Sequence, residues 1–424
     1  MLSAREGAGN ATAACPTAPV SFSPRSPIIY CHDPSRSKTL TESSAYEFDV
    51  AVLLEAACQA AGLDDFGDKR FSEGLAVLCV ALDSSAGLSE KGRRSHWKRL
   101  VRLLATRLRV EAAFKGHPEI REREIRRPMF LTGLPRTGTS ATFNLLGKDP
   151  AARPLLLWEG TFPEPLEGLE EGAEDPRHVA MKETFAKMRE RNPEFTRIHF
   201  ADADTPEECV IPMAITFENV HQGIEVLLEP YASFFRARDL EPQYLYYREL
   251  LKMIDWQRPG ERWLLKSPAH LWAMDVIVKT FPDCCIVLTH RDPVEAIASY
   301  CSMMETLLES QGCSPQPDLG ETVLDFCATS LERGYAVRDE SDPRRFIDIR
   351  FEDFVGDSMG VMRRIYDHFE LDFSALAQAE MEKHLAANPR GKHGSHEYDL
   401  SRYGLDEDRV MARFSWYIDR FELA

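Results

Sequence analysis

The sequence predicts an α/β fold, a P-loop-like parallel sheet flanked by helices, with an N-terminal helical layer. Three observations predict it. The apolar run 128–133 breaks into the turn Gly133-Leu-Pro-Arg-Thr-Gly-Thr-Ser140, and a helical stretch follows from Ala141. This is the strand-turn-helix form in which backbone N–H groups converge on an anion. Three more short apolar runs, Trp263 to Lys266, Cys284 to Thr289 and Phe346 to Arg350, alternate with helical stretches, as parallel strands with crossover helices require. Between Phe48 and Leu108, apolar residues recur only at helical spacing.

The 424 residues, 44% of them hydrophobic, are enough for a large core. Residues 1–44 mix Ala, Pro, Ser, Thr and Gly without periodicity and read as a mobile arm; 45–125 form a helical accessory region; 126–424 form the main domain. The net charge of −17 opposes nucleic acid, polyanions and anionic membrane surfaces, and suits a neutral or cationic small molecule. The ten cysteines include no CxxC pair and have no zinc-like histidine spacing, so reduced thiols, a cytoplasmic location and no metal are expected. An organellar transit peptide is the alternative that the Ala- and Ser-rich start with Arg5, Arg25 and Arg36 leaves open. No apolar run approaches the ~18 residues of a membrane span. Oligomeric state has no signature.

Beyond the turn, Leu155 to Glu159 is apolar up to its acidic end, and helical signals resume over about Arg177 to Arg191. Thr205-Pro-Glu-Glu208 has the form of a capping box that opens a helix. Aromatic residues between Phe217 and Tyr247 suit core, or the wall of a pocket. Trp263 to Lys266 ends in Ser267-Pro-Ala-His270, where Ser267 caps a helix running to about Thr280. Asp292 caps the helix after the next strand, and a further helix covers about Gly356 to Phe369.

The turn copies the Walker A spacing with Thr139 where a kinase keeps its lysine, and its cation is Arg136. Pro135-Arg-Thr-Gly-Thr-Ser140, with Arg136, Thr137, Gly138 and Thr139 between the ends, resembles the 5′-phosphosulfate loop of sulfotransferases that use 3′-phosphoadenosine 5′-phosphosulfate (PAPS). Arg291-Asp-Pro with Ser299 is similar to their 3′-phosphate motif, and Arg390-Gly391-Lys392 to the basic loop that closes over that phosphate. Trp-Glu159, Pro-Glu-Glu-Cys209 and Leu-Leu-Lys-Ser-Pro-Ala-His270 resemble a largely bacterial branch, nearer the tyrosylprotein and olefin-forming enzymes than the aryl ones. The resemblance implies sulfuryl transfer from PAPS to a hydroxyl or amine of a small acceptor, leaving adenosine 3′,5′-bisphosphate. Arg136 and Lys266 are then the charge-neutralising cations, with Glu159 first, His270 second and His199 third as the base. A catalytically inactive nucleotide-binding or interaction protein and a P-loop kinase are the rival readings.

Overall fold

The computed structural model describes residues 46–84, 87–170, 172–191, 202–220, 224–314, 316–388 and 399–423. The arm expected over 1–44, His199 and the basic turn Arg390-Gly391-Lys392 lie outside the described residues.

Five parallel strands make one sheet in the order β2-β3-β1-β4-β5. They are β1 (Met129–Gly133), β2 (Ala152–Pro154), β3 (Arg262–Lys266), β4 (Cys285–His290) and β5 (Phe346–Arg350). The four expected runs are β1, β3, β4 and β5, and β2 is a further short edge strand. Alternation of side chains along each strand feeds two apolar clusters. Phe130, Leu265, Ile286 and Leu288 point to one face, and Met129, Leu131, Leu264 and Val287 to the other. The 3-10 turn Pro268–Ala273 packs on the first face, and the N-terminal helices α1 (Val50–Ala61), α2 (Phe71–Ser84) and α3 (Glu90–Gly116) join the same cluster through Leu53, Leu75 and Leu104. The second is covered by α4 (Thr139–Leu146) and by later helices through Phe143, Ile365 and Met381.

The connections determine where ligands can approach. From β1 the chain crosses through α4 to β2 and continues through α5 (Leu157–Thr161), α6 (Pro176–Arg191), α7 (Val210–Met213), α8 (Tyr231–Ala237) and α9 (Glu241–Gln257). It returns in β3 beside β1, then passes through α10 (Met274–Thr280) to β4 on the other side of β1. Ser267 accepts from the Ala269 amide as expected, although the chain first makes a 3-10 turn over Pro268–Ala273 before α10 begins. Helices α11 (Pro293–Ser310) and α12 (Leu319–Glu340) lead to β5, followed by α13 (Phe351–Gly356), α14 (Ser358–His368), α15 (Ala375–Ala387), α16 (Glu407–Arg413) and α17 (Ser415–Phe421). Strand order thus switches direction at β1, and a crevice opens at the carboxyl ends of β3, β1 and β4, where open α/β sheets bind ligands. Among the described residues no helix is long and apolar enough to cross a membrane.

Gly133, the last residue of β1, pairs with Thr289. Its φ is +152°, and a Cβ there would lie 2.5 Å from the Thr289 carbonyl oxygen and 2.6 Å from its Oγ1. Gly133→Ala is therefore expected to lower unfolding stability by about 2 kcal/mol, the scale of an overpacked core. An unchanged urea midpoint would show that the β1–β4 contact is slack.

Candidate active site

Three segments meet at the crevice, one after each central strand. After β1, Arg136 takes a left-handed φ of +70° and Gly138 one of +87°, which fold the chain back before α4. The Thr137 hydroxyl is buried, 2.7 Å from both the Leu134 carbonyl and Thr289 Oγ1, pinning the turn to β4. A Cβ on Gly138 would stand 2.7 Å from the Phe351 ring, so the glycine lets the turn lie against that ring.

After β4, Asp292 caps α11 by accepting from the Val294 amide at 2.8 Å, as the sequence implies. Arg291 donates to the Arg136 carbonyl at 3.1 Å and to Glu295 at 2.9 Å, with its guanidinium 4.5 Å from the Phe351 ring centroid. Arg136 Nε in turn donates to Ser299 Oγ at 3.0 Å. The two segments expected to hold opposite ends of one ligand are thus joined by two direct hydrogen bonds. Arg136 is exposed and has no carboxylate partner among the described residues.

After β3, Lys266 is 5% exposed and donates to Glu208 Oε1 at 2.7 Å, with Ser140 Oγ of the turn at 3.4 Å. Burial works against its ammonium, but the Glu208 and Glu207 charges outweigh that and raise its pKa, so it is charged at neutral pH. Ser267 donates to the other Glu208 oxygen at 3.3 Å. Arg136 therefore stands with Ser299, and Lys266 with Ser140.

Glu208 is the residue that the sequence reading passed over. Thr-Pro-Glu-Glu208 does not open a helix: Pro206 makes an antiparallel bridge to Leu156, the Glu207 amide donates to Leu155, and α7 starts only at Val210. Freed from capping, the Glu208 side chain turns to Lys266. Glu159, the base that the resemblance put first, is enclosed by partners. Arg153 binds both its oxygens at 2.8 and 2.7 Å, Arg258 adds a bond at 2.9 Å, and Oε2 accepts from the Leu156 amide at the start of α5. Those bonds occupy the lone pairs that a base would use.

His270 is fully buried, its Nδ1 2.8 Å from the Tyr244 hydroxyl and its Nε2 without a partner among the described residues. It edges a cavity lined by Val210, Met213, Phe235 and Tyr244, with room for about one water. Burial, then the Lys266 charge, pushes its pKa down to about 3. It faces this cavity as a neutral ring.

A family model described as "Sulfotransferase family" matches residues 128–375. The chain is similar to the Stf3 proteins of Mycobacterium bovis and Mycobacterium tuberculosis, named as omega-hydroxy-beta-dihydromenaquinone-9 sulfotransferases. The identity is 25% over 314 residues, 69% of this chain and 74% of theirs. Among solved structures, sulfotransferase STF1 of Mycobacterium tuberculosis superposes with a TM-score of 0.77 at 33% identity, covering 88% of this chain and 100% of that one. STF9 of Mycobacterium avium gives 0.80 at 28% identity, covering 88% and 97%.

The neutral His270 ring has a stability consequence. Its pKa is about 3 in the fold against 6.5 outside it, so the unfolded chain takes up a proton that the fold refuses; stability is present above pH 6.5 and is lost as pH falls below it. Between pH 7 and pH 5 this one group should cost about 2 kcal/mol. His270→Gln should lose correspondingly less over that interval in paired urea titrations. Parallel curves for the two proteins would contradict the assignment.

Proposed function

Because the chain belongs to the sulfotransferase family and is a sulfotransferase, we propose that its donor is PAPS and that Glu208 is the base that takes the acceptor proton. The observation that carries the donor assignment is the bond from Arg136 to Ser299. It closes the gap between two anion-seeking segments and leaves an exposed arginine without a carboxylate partner among the described residues of a chain of net charge −17. The fit to a doubly anionic nucleotide rests on both ends. The turn offers Thr137 to Ser140 and the start of the eight-residue α4 to a 5′-phosphosulfate, and Arg291 with Ser299 to a 3′-phosphate. Arg390, Gly391 and Lys392, outside the described residues, belong to this proposal through the motif alone.

Sulfuryl transfer needs positioning and charge neutralisation more than covalent help from the protein, by analogy with phosphoryl transfer. Lys266, held charged by Glu208 and next to Ser140, neutralises the oxygen that leaves sulfur, and Arg136 adds charge from the turn. Glu208 accepts the hydroxyl proton as the acceptor oxygen bonds to sulfur. It is 28% exposed, open to an arriving acceptor where Glu159 is closed. Phe143, its ring centroid 5.7 Å from Lys266 Nζ, and Tyr300, near enough to sense the Glu208 charge, give this end aromatic walls. We assign the acceptor as an alcohol on a largely apolar, uncharged small molecule, in keeping with these walls, the chain's negative charge and the named substrate of the Stf3 relatives.

Adenosine 3′,5′-bisphosphate at a hundred times its Kd should stabilise the fold by about 2.7 kcal/mol, read as a rise in melting temperature. No rise at millimolar ligand would refute the donor assignment. Glu208→Gln should cut turnover by about 10²-fold or more while keeping that rise. Glu159→Gln should instead lower stability and leave the turnover of folded protein near wild type. If the two variants exchange these phenotypes, the base is Glu159.

A further inference from the structure

Arg291 gets its direction from behind. Its side chain is spread between Glu295, the Arg136 carbonyl and the Phe351 face, but its backbone belongs to the short link between β4 and the cap of α11. The residue before it, His290, ends β4 and is 1% exposed. Helix α17 covers it: the Phe421 ring stacks on the imidazole at 3.9 Å and 8°. Tyr417 Oη, from the same helix, is 3.2 Å from His290 Nδ1. Arg291 is the next residue along the chain, so this bond and this stack hold the backbone from which its side chain leaves.

The hydrogens can be placed in one consistent way. Burial keeps the ring neutral and the Asp348 carboxylate only accepts, so Nδ1 is the nitrogen left to accept the Tyr417 hydrogen. The imidazole then carries its hydrogen on Nε2, 3.0 Å from Asp348 Oδ1. Asp348 also accepts from the Tyr335 hydroxyl at 3.0 Å and pairs with Arg338. An unbroken chain therefore runs from an anchored carboxylate through a neutral histidine to a phenol of α17, and that histidine directly precedes the arginine beside the turn. Each link restricts the next, as partners do behind metal-bound histidines.

We propose that Tyr417, with His290 and Asp348 behind it, is a positioning residue that aims Arg291 and so gives the site its preference for nucleotides carrying a 3′-phosphate. None of the three touches the nucleotide. The proposal rests on the reading of Arg291 and Ser299 as the 3′-phosphate site. It assigns α17, which lies far along the chain from every motif of the crevice, to donor selection.

Calorimetric titration of wild-type protein, Tyr417→Phe and Asp348→Asn with adenosine 3′,5′-bisphosphate and with adenosine 5′-monophosphate tests it. Wild-type protein should prefer the bisphosphate. Tyr417→Phe should lose about tenfold of that preference, the scale of one lost hydrogen bond, with affinity for the monophosphate unchanged. Asp348→Asn acts from the other end of the chain and should move the ratio the same way, which keeps the test open if one variant folds poorly. A helix that only stabilises the fold would weaken both ligands alike and leave the ratio intact. That result, beside a wild-type preference for the bisphosphate, overturns the positioning role while the donor assignment stands. A wild-type protein without the preference overturns the donor assignment, and this proposal falls with it.

Discussion

Parallel pairing of β1 with β4 is the constraint on which the rest depends. Its register runs from Met129 opposite Cys285 to Gly133 opposite Thr289. The first anion-seeking segment starts one residue beyond Gly133, and the second follows His290, so the pairing decides that they emerge side by side. A slip of β1 by one residue would turn Leu131 to the wrong face and carry Arg136 away from Ser299. Both the missing side chain of Gly133 and the hydroxyl pair Thr137–Thr289 lie on this seam, one allowing the close approach and the other fixing it.

Charge in the crevice follows from that placement. The chain is acidic overall, yet Arg136, Lys266 and Arg291 gather at the ends of three neighbouring strands. Two of the three are paired in advance. Glu208 makes a buried ammonium tolerable at Lys266, and Glu295 steadies the Arg291 fork. On the proposed reading, such pairs hold the cations in place for the nucleotide. The third cation, Arg136, has only a hydroxyl to answer its side chain among the described residues, and its backbone is held in a conformation that non-glycine residues rarely adopt.

Much of this was legible in the sequence because it is written in local patterns. Apolar runs gave four of the five strands, the glycine spacing gave the turn, and Asp292-Pro293 gave the start of α11. The surroundings of the two carboxylates were not legible, for a physical reason. Thr-Pro-Glu-Glu208 obeys every rule for opening a helix, but those rules weigh only neighbours, and Glu208 answers to a lysine 58 residues away. Glu159 looked free because one of its arginines is 99 residues distant. The other, Arg153, is only six residues before it and was the one local sign that this carboxylate would be taken. The network behind Arg291 had no sequence signal at all, since it joins residues of β4, β5, α12 and α17 through contacts that only the folded sheet creates.

A crystal structure with adenosine 3′,5′-bisphosphate bound tests the central claim most directly. The account expects one nucleotide to span the crevice, its 5′-phosphate on the Thr137 to Ser140 turn beside Lys266 and its 3′-phosphate on Arg291 and Ser299. A nucleotide held at one of these ends alone, or in a different cleft, would contradict it.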